Sequence, residues 1–135
     1  MTDKAPAPEP EAEPEGELTL RTLAMPADTN TAGDIFGGWV LSQMDIAGGM
    51  VAGERAQGRV ATVAVDAMKF IRPVKVGDVL CVYCDVVRVG RTSIAVEIEA
   101  WVKRDRIGSR EKVTEALFTF VALDADGKAR EVSAS

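Results

Sequence analysis

Residues 35–53 read IFGGWVLSQMDIAGGMVAG and carry one ionisable group, Asp45. Read as a helix over about 35–55 with 100° steps, Ile35, Phe36, Trp39, Val40, Met44, Ile46, Ala47, Met50 and Val51 cover a broad apolar arc. Leu41, Ser42, Gly48, Gly49 and Ala52 share the other side with Asp45, where a surface helix would carry Lys and Glu. A helix with no charged face predicts burial. The remainder of the chain must therefore enclose it.

The remainder has strand character. Residues 18–25, LTLRTLAM, predict a strand that Pro26 ends, and the turn formers of PADTNTAGD predict a loop. Four further strands are predicted at about 60–71, 78–89, 92–104 and 112–123. In the third of these, Ile94, Val96, Ile98, Ala100 and Val102 alternate with Ser93, Glu97, Glu99 and Lys103, the pattern of a half-buried antiparallel strand. Val89-Gly90-Arg91-Thr92 predicts the hairpin before it, with Gly90 at positive φ. The DADG run at 124–127 predicts a second turn; it lacks the later ligands of a calcium loop. Strand, long helix and four strands predict an α+β fold, with about five antiparallel strands curved around the helix. One helix cannot cover both faces of such a sheet, so open surface and edges predict a homo-oligomer.

A chain of 135 residues has room for one domain. Residues 1–17 alternate Pro, Ala and Glu and predict a disordered tail, leaving the domain at 18–126 and a short C-terminal tail at 127–135. Six acids and one base lie within residues 1–17, which accounts for the whole net charge of −5. The domain is thus neutral overall, with no bias against an anionic ligand and no basic groove for nucleic acid. No apolar run reaches the roughly 18 residues of a membrane span, and the start of the chain has no signal-peptide pattern. The expectation is a cytoplasmic protein without membrane or nucleic-acid partners.

Histidine is absent. That excludes Ser-His-Asp and Cys-His hydrolases and leaves carboxylates, amides and backbone dipoles to carry any hydrolysis. Cys81 and Cys84 form a CxxC spacing, but zinc would need further Cys or His ligands, and a redox pair would sit at a helix start. Within VLCVYCDVV, residues three apart face opposite ways, so two buried structural thiols are expected and no metal site.

A lone carboxylate on a buried helix costs free energy unless it is paired or used. It can hold a backbone or subunit contact, or it can do chemistry. The five helix glycines, Gly37, Gly38, Gly48, Gly49 and Gly53, each cost about 1 kcal/mol against Ala and need a compensating role. Gly48 and Gly49 would admit either another backbone or a slim ligand chain near Asp45. Gly37 and Gly38 fall near the helix start, where unpaired amides form either an oxyanion site or only a tight turn. From Gly37 to Asp45 the helix rises about 12 Å, so one carbonyl cannot lie against both groups of a single helix. If both act on one carbon, two subunits must supply them.

LRTLAMPADTNTAGDIFGGWVLSQMDIAGG, GRVATVAVDAMKFIRPVKVGD and VGRTSI together resemble the acyl-CoA thioesterases of the hotdog superfamily, in particular the YciA-type bacterial enzymes. The resemblance runs from about residue 18 to 126. It implies a hotdog fold, paired into a double hotdog that commonly assembles further as a trimer of dimers. It also implies hydrolysis of acyl-CoA to a free acid and CoA with no metal or other cofactor. The family's catalytic carboxylate falls on Asp45, and its loop asparagine, expected to position water or thioester, on Asn30. Its glycine-rich helix start falls on Gly37 and Gly38. The hairpin that lies near CoA falls on Gly90, Arg91, Thr92 and Ser93. Arg91 is either a phosphate contact or an exposed turn residue, and Asn30 either a positioning group or a turn former. Lys69 and Arg72 are CoA contacts or plain edge charges. Asp45 would act as general base on a water or as nucleophile through a mixed anhydride. The competing reading is an acyl-CoA-binding module without catalysis; a hotdog dehydratase would need a histidine.

Overall fold

The computed structural model describes residues 13–104 and 109–134. Five strands, β1 (Glu17–Leu23), β2 (Val60–Phe70), β3 (Val79–Val89), β4 (Ser93–Lys103) and β5 (Arg110–Ala122), surround one long helix, α1 (Gly37–Ala56). The strands form a single antiparallel sheet in the order β1-β3-β4-β5-β2, and α1 lies across one face of it, touching all five. The α+β architecture matches the sequence expectation, and each strand lies within two residues of its predicted ends.

The alternation in β4 sets the core. Ile94, Val96, Ile98, Ala100 and Val102 are wholly buried, and they meet Val40, Met44 and Ala47 of the helix together with Leu80, Val82, Phe118 and Phe120. The opposite face carries a small second cluster of Cys81, Tyr83 and Trp101. Cys81 and Cys84 therefore do point to opposite faces, and both are free and buried. Burial pushes the Cys84 thiol up, against a smaller lowering by its contact with Thr19.

Three local expectations are corrected. First, α1 begins at Gly37 rather than Ile35. The Ile35 amide donates to the Val74 carbonyl at 3.3 Å and the Phe36 amide to Asp28 at 3.1 Å, so both are tied into loops before the helix starts. Second, the helix is buried along one face only, and the division of that face differs from the apolar arc. Gly48 and Ala52 lie in the core, whereas Ile46 and Met50 are 51% and 56% exposed. Hydrophobicity alone could not find this, because closeness to the sheet selects small residues. A Cβ on Gly48 would lie 2.5 Å from Ile98 Cδ1 and 2.9 Å from the Phe120 ring, so close packing is the use of that glycine. Third, Gly90 is not among the positive-φ residues. Its amide donates to the Ser93 carbonyl at 2.8 Å, and a Cβ there would lie 2.8 Å from Ser93 Oγ. Room for the serine, not φ, makes that position a glycine.

The ends are tied down more than expected. Of the predicted N-terminal tail, residues 1–12 lie outside the described residues, while Glu13 pairs with Arg110 at 3.2 Å and Glu17 opens β1. At the other end the DADG turn forms as predicted. Asp124 Oδ1 accepts the amides of Asp126 and Lys128 at 2.8 and 2.9 Å, with Gly127 at φ 80°. The segment beyond it folds back: the Val132 amide donates to the Arg91 carbonyl at 2.8 Å, and Arg130 Nη2 caps the helix C-terminus through the Ala56 carbonyl at 2.6 Å.

Candidate active site

Asp45 sits at mid-helix, half-buried on the flank of α1 that borders the β2 edge of the sheet. Its Oδ1 accepts a hydrogen bond from Thr62 Oγ1 at 2.5 Å. Thr62 belongs to β2, an edge strand whose pairing with β5 shifts register between Thr62 and Ala64 and again between Asp66 and Lys69, with Ala67 at φ 54°. These bulges bend an edge strand and re-aim its side chains. Gly38, Leu41, Ser42 and Asp45 recur at helical spacing and, with Thr62, Val65 and Phe118, line an open hollow of about 330 Å³. Ser42 gives its hydroxyl proton to the Trp39 carbonyl at 2.8 Å. Asp45 is therefore the one ionisable group on a largely apolar wall, a carboxylate with a hydroxyl donor and no cation partner among the described residues.

A second hollow, about 280 Å³, opens at the helix start between Ile35, Gly37, Val40 and the segment Phe70, Ile71, Arg72, Pro73 and Val74. A Cβ on Gly37 would lie 3.3 Å from the Phe70 ring, which rests directly on the glycine. The amides of Gly37 and Gly38 donate to no acceptor among the described residues. Unpaired donors at the positive end of a helix dipole favour an anion or a carbonyl oxygen acquiring charge. Gly38 shares the Asp45 hollow, but seven residues of helix separate the two, a rise of about 10.5 Å. Within one chain, carboxylate and free amides do not converge on one atom.

The other sequence-predicted residues lie apart from Asp45. Asn30 folds its own loop: its Oδ1 accepts the amides of Ala32 and Asp34 at 2.9 and 3.1 Å, leaving Nδ2 as the donor. Arg72 lines the helix-start hollow, donates to the Lys112 carbonyl at 2.9 Å and pairs with Glu111. Lys69 is exposed on β2, and its carbonyl accepts the Thr114 hydroxyl. In the hairpin of Gly90, Arg91, Thr92 and Ser93, Arg91 forms an exposed ion pair with Glu131 at 3.3 Å. Sequence reasoning missed Thr62 and every residue of the Phe70–Val74 wall but Arg72. The signal for the first was a hydroxyl interrupting the apolar run VATVAV, on a strand whose edge position only the topology reveals.

Among the described residues no cluster of three or more Cys, Asp or Glu is arranged to hold a metal, and no helix is long and apolar enough to cross a membrane. A family model described as Thioesterase superfamily matches residues 32–109. The chain is 62% identical over 120 residues to the acyl-CoA thioester hydrolase YciA of Salmonella typhimurium, covering 87% of this chain and 90% of that protein. It superimposes on a hexameric thioesterase from Yersinia pestis with a TM-score of 0.87 at 57% identity, over 91% of this chain and 100% of the other. A hexameric hotdog fold thioesterase of Campylobacter jejuni gives a TM-score of 0.82 at 48% identity, over 87% and 91% of the two chains.

Proposed function

The chain belongs to the thioesterase superfamily and has its hotdog fold, and on that footing we propose that it is an acyl-CoA thioesterase, releasing a fatty or short-chain acid and CoA. The observation that carries the reading is Asp45: one carboxylate, hydrogen-bonded to Thr62, on an apolar wall with no competing cation among the described residues. As a general base, Asp45 takes a proton from a water as the water oxygen adds to the thioester carbon. Donors aimed at the carbonyl oxygen stabilise the charge it gains, the role of the Gly37 and Gly38 amides. The carbon–sulfur bond then breaks, and the thiolate leaves with the proton that Asp45 returns. Attack by Asp45 itself, through a mixed anhydride that water then opens, uses the same groups. Neither route calls on a metal or an organic cofactor.

The chain self-associates, and the relatives above from Yersinia pestis and Campylobacter jejuni are hexamers. In our reading the β2 edge and the outward face of α1 pair two copies as a double hotdog, and three such pairs make the hexamer. Val63, Ile46 and Met50, all large and exposed in one chain, supply apolar surface for the first contact. Pairing would set Asp45 of one copy against the helix start of the other, which answers the separation of carboxylate and amides along one helix. Asn30 would then position the water or thioester, while Arg91 with Gly90, Thr92 and Ser93, and Lys69 with Arg72, would meet the CoA. The two free thiols accord with a reducing cytoplasm.

The deciding experiment measures thiol release from acyl-CoAs of C2 to C18 by wild type and Asp45→Ala, with assembly checked by light scattering. Turnover should fall by at least ~100-fold in the variant, the range for loss of a general base. An assembled wild type that hydrolyses none of the panel would remove the enzyme reading in favour of a binding module.

A further inference from the structure

The segment between β2 and β3 is clasped from three sides. At its start the Ile71 amide donates to the Val113 carbonyl at 2.7 Å. At its end Lys75 to Asp78 form a tight turn: the Asp78 amide donates to the Lys75 carbonyl at 3.0 Å, and Gly77 sits at φ 93°. Gly77 and Asp78 exchange backbone hydrogen bonds with Ala24, both at 2.9 Å. In the middle, Val74 is buried beside Ile35, and its carbonyl accepts the Ile35 amide, two residues before α1 begins. The place of the helix start therefore depends on the place of Pro73 and Val74.

What fixes Pro73 and Val74 is charged. Asp78 is 3% exposed, and its Oδ2 accepts both the Lys75 amide at 2.8 Å and Arg104 Nη1 at 2.5 Å. Arg104, one residue past the end of β4, also donates Nη2 to the Pro73 carbonyl at 3.1 Å and lies 3.5 Å from Glu111 through Nε. Glu111 in turn pairs with Arg72. One guanidinium thus spans both ends of the loop, and its fork geometry does what a point charge cannot. A turn that only had to close could do so with Gly77 and backbone bonds alone. Burying a carboxylate and bridging it to a carbonyl five residues back fixes the loop as a rigid wall.

We propose that Arg104 and Asp78 are positioning residues for the helix-start hollow: they hold Pro73 and Val74, and through them the Gly37 amide, where a thioester oxygen is received. This rests on the thioesterase reading. Arg104→Ala should lower kcat by roughly tenfold or more with KM little changed, because the amide acts on charge that develops only in the transition state. Arg104→Lys keeps a charge for Asp78 but cannot also reach Pro73 in the same geometry, so its kcat should fall between. Amide exchange should accelerate at residues 35–40 and stay unchanged at 44–52 in either variant.

If the Ala variant fails to assemble, the Lys variant decides alone. Unchanged kcat in an assembled variant, or exchange that quickens equally along the whole chain, would overturn the proposal. Should the wild type hydrolyse no acyl-CoA, the enzyme reading is lost. The exchange pattern still tests the mechanical link from Arg104 to the helix start.

Discussion

The two faces of α1 have nearly the same composition and opposite circumstances. Val40, Met44, Ala47, Gly48 and Ala52 press on the sheet of their own chain, and Gly48 lies so close that no side chain fits. Leu41, which lines the Asp45 hollow, and Ile46 and Met50 farther round the helix remain exposed. On the inner face the lack of charge is explained by the core. On the outer face nothing in the single chain explains it, and each exposed large side chain forgoes the roughly 1.5–3 kcal/mol that burial gives. A face that is apolar, uncovered and holds the only carboxylate of residues 37–53 suits another molecule, in the proposed reading first a second copy and then a substrate. Inner residues should therefore report in stability and outer ones in assembly and turnover.

The largest expected effect is on the outer face. Ile46→Lys should leave far-UV circular dichroism intact while light scattering registers smaller species and thiol release drops to background. Full assembly with full activity would show that this face is not the one that pairs. Next is the inner face: Gly48→Ala forces Ile98 or Phe120 to move and should cost about 1–3 kcal/mol in denaturant unfolding, as overpacked cores do. A smaller change is expected for Thr62→Val, which removes the hydrogen bond that orients Asp45. Its kcat should fall about tenfold, near 1.4 kcal/mol, with the unfolding midpoint unmoved. A loss as great as that of Asp45→Ala would mean that Thr62 does more than orient.

The smallest effect belongs to Cys84. Its folded thiol titrates above its unfolded value because burial penalises the thiolate. The unfolded chain then loses its proton first, so this contribution to stability is complete below about pH 8.5 and declines as pH rises through the folded value. Cys84→Ala should flatten that alkaline decline and leave the neutral range unaltered in sign.

Much of this was legible in the sequence, and what was not has a common cause. The alternation of Ile94 through Val102 identified a strand and its buried face, because period two has a single geometric meaning. The bare helix with Asp45 pointed to the candidate site. Which side of that helix meets the sheet was not legible, since Gly48 and Ala52 are weak hydrophobes that allow closeness, while the stronger Ile46 and Met50 stay exposed. Hydrophobicity ranks desire for burial and is silent on who does the burying. Thr62, Phe70 and Arg104 were equally hidden, because each acts across 17 to 33 residues of chain, through Asp45, Gly37 and Pro73, in a register that only the folded sheet defines.

The contact of Gly48 with Ile98 and Phe120 has a further consequence, for how such a protein can change over time. A helix locked to its sheet at one point cannot roll or slide to widen its outer groove. In the proposed reading, new chain-length preferences would have to come by exchange of Leu41 or Val65, which line the Asp45 hollow and remain exposed. Adaptation of the pocket and preservation of the framework are thereby assigned to different residues, Leu41 and Val65 for the one and Gly48 for the other.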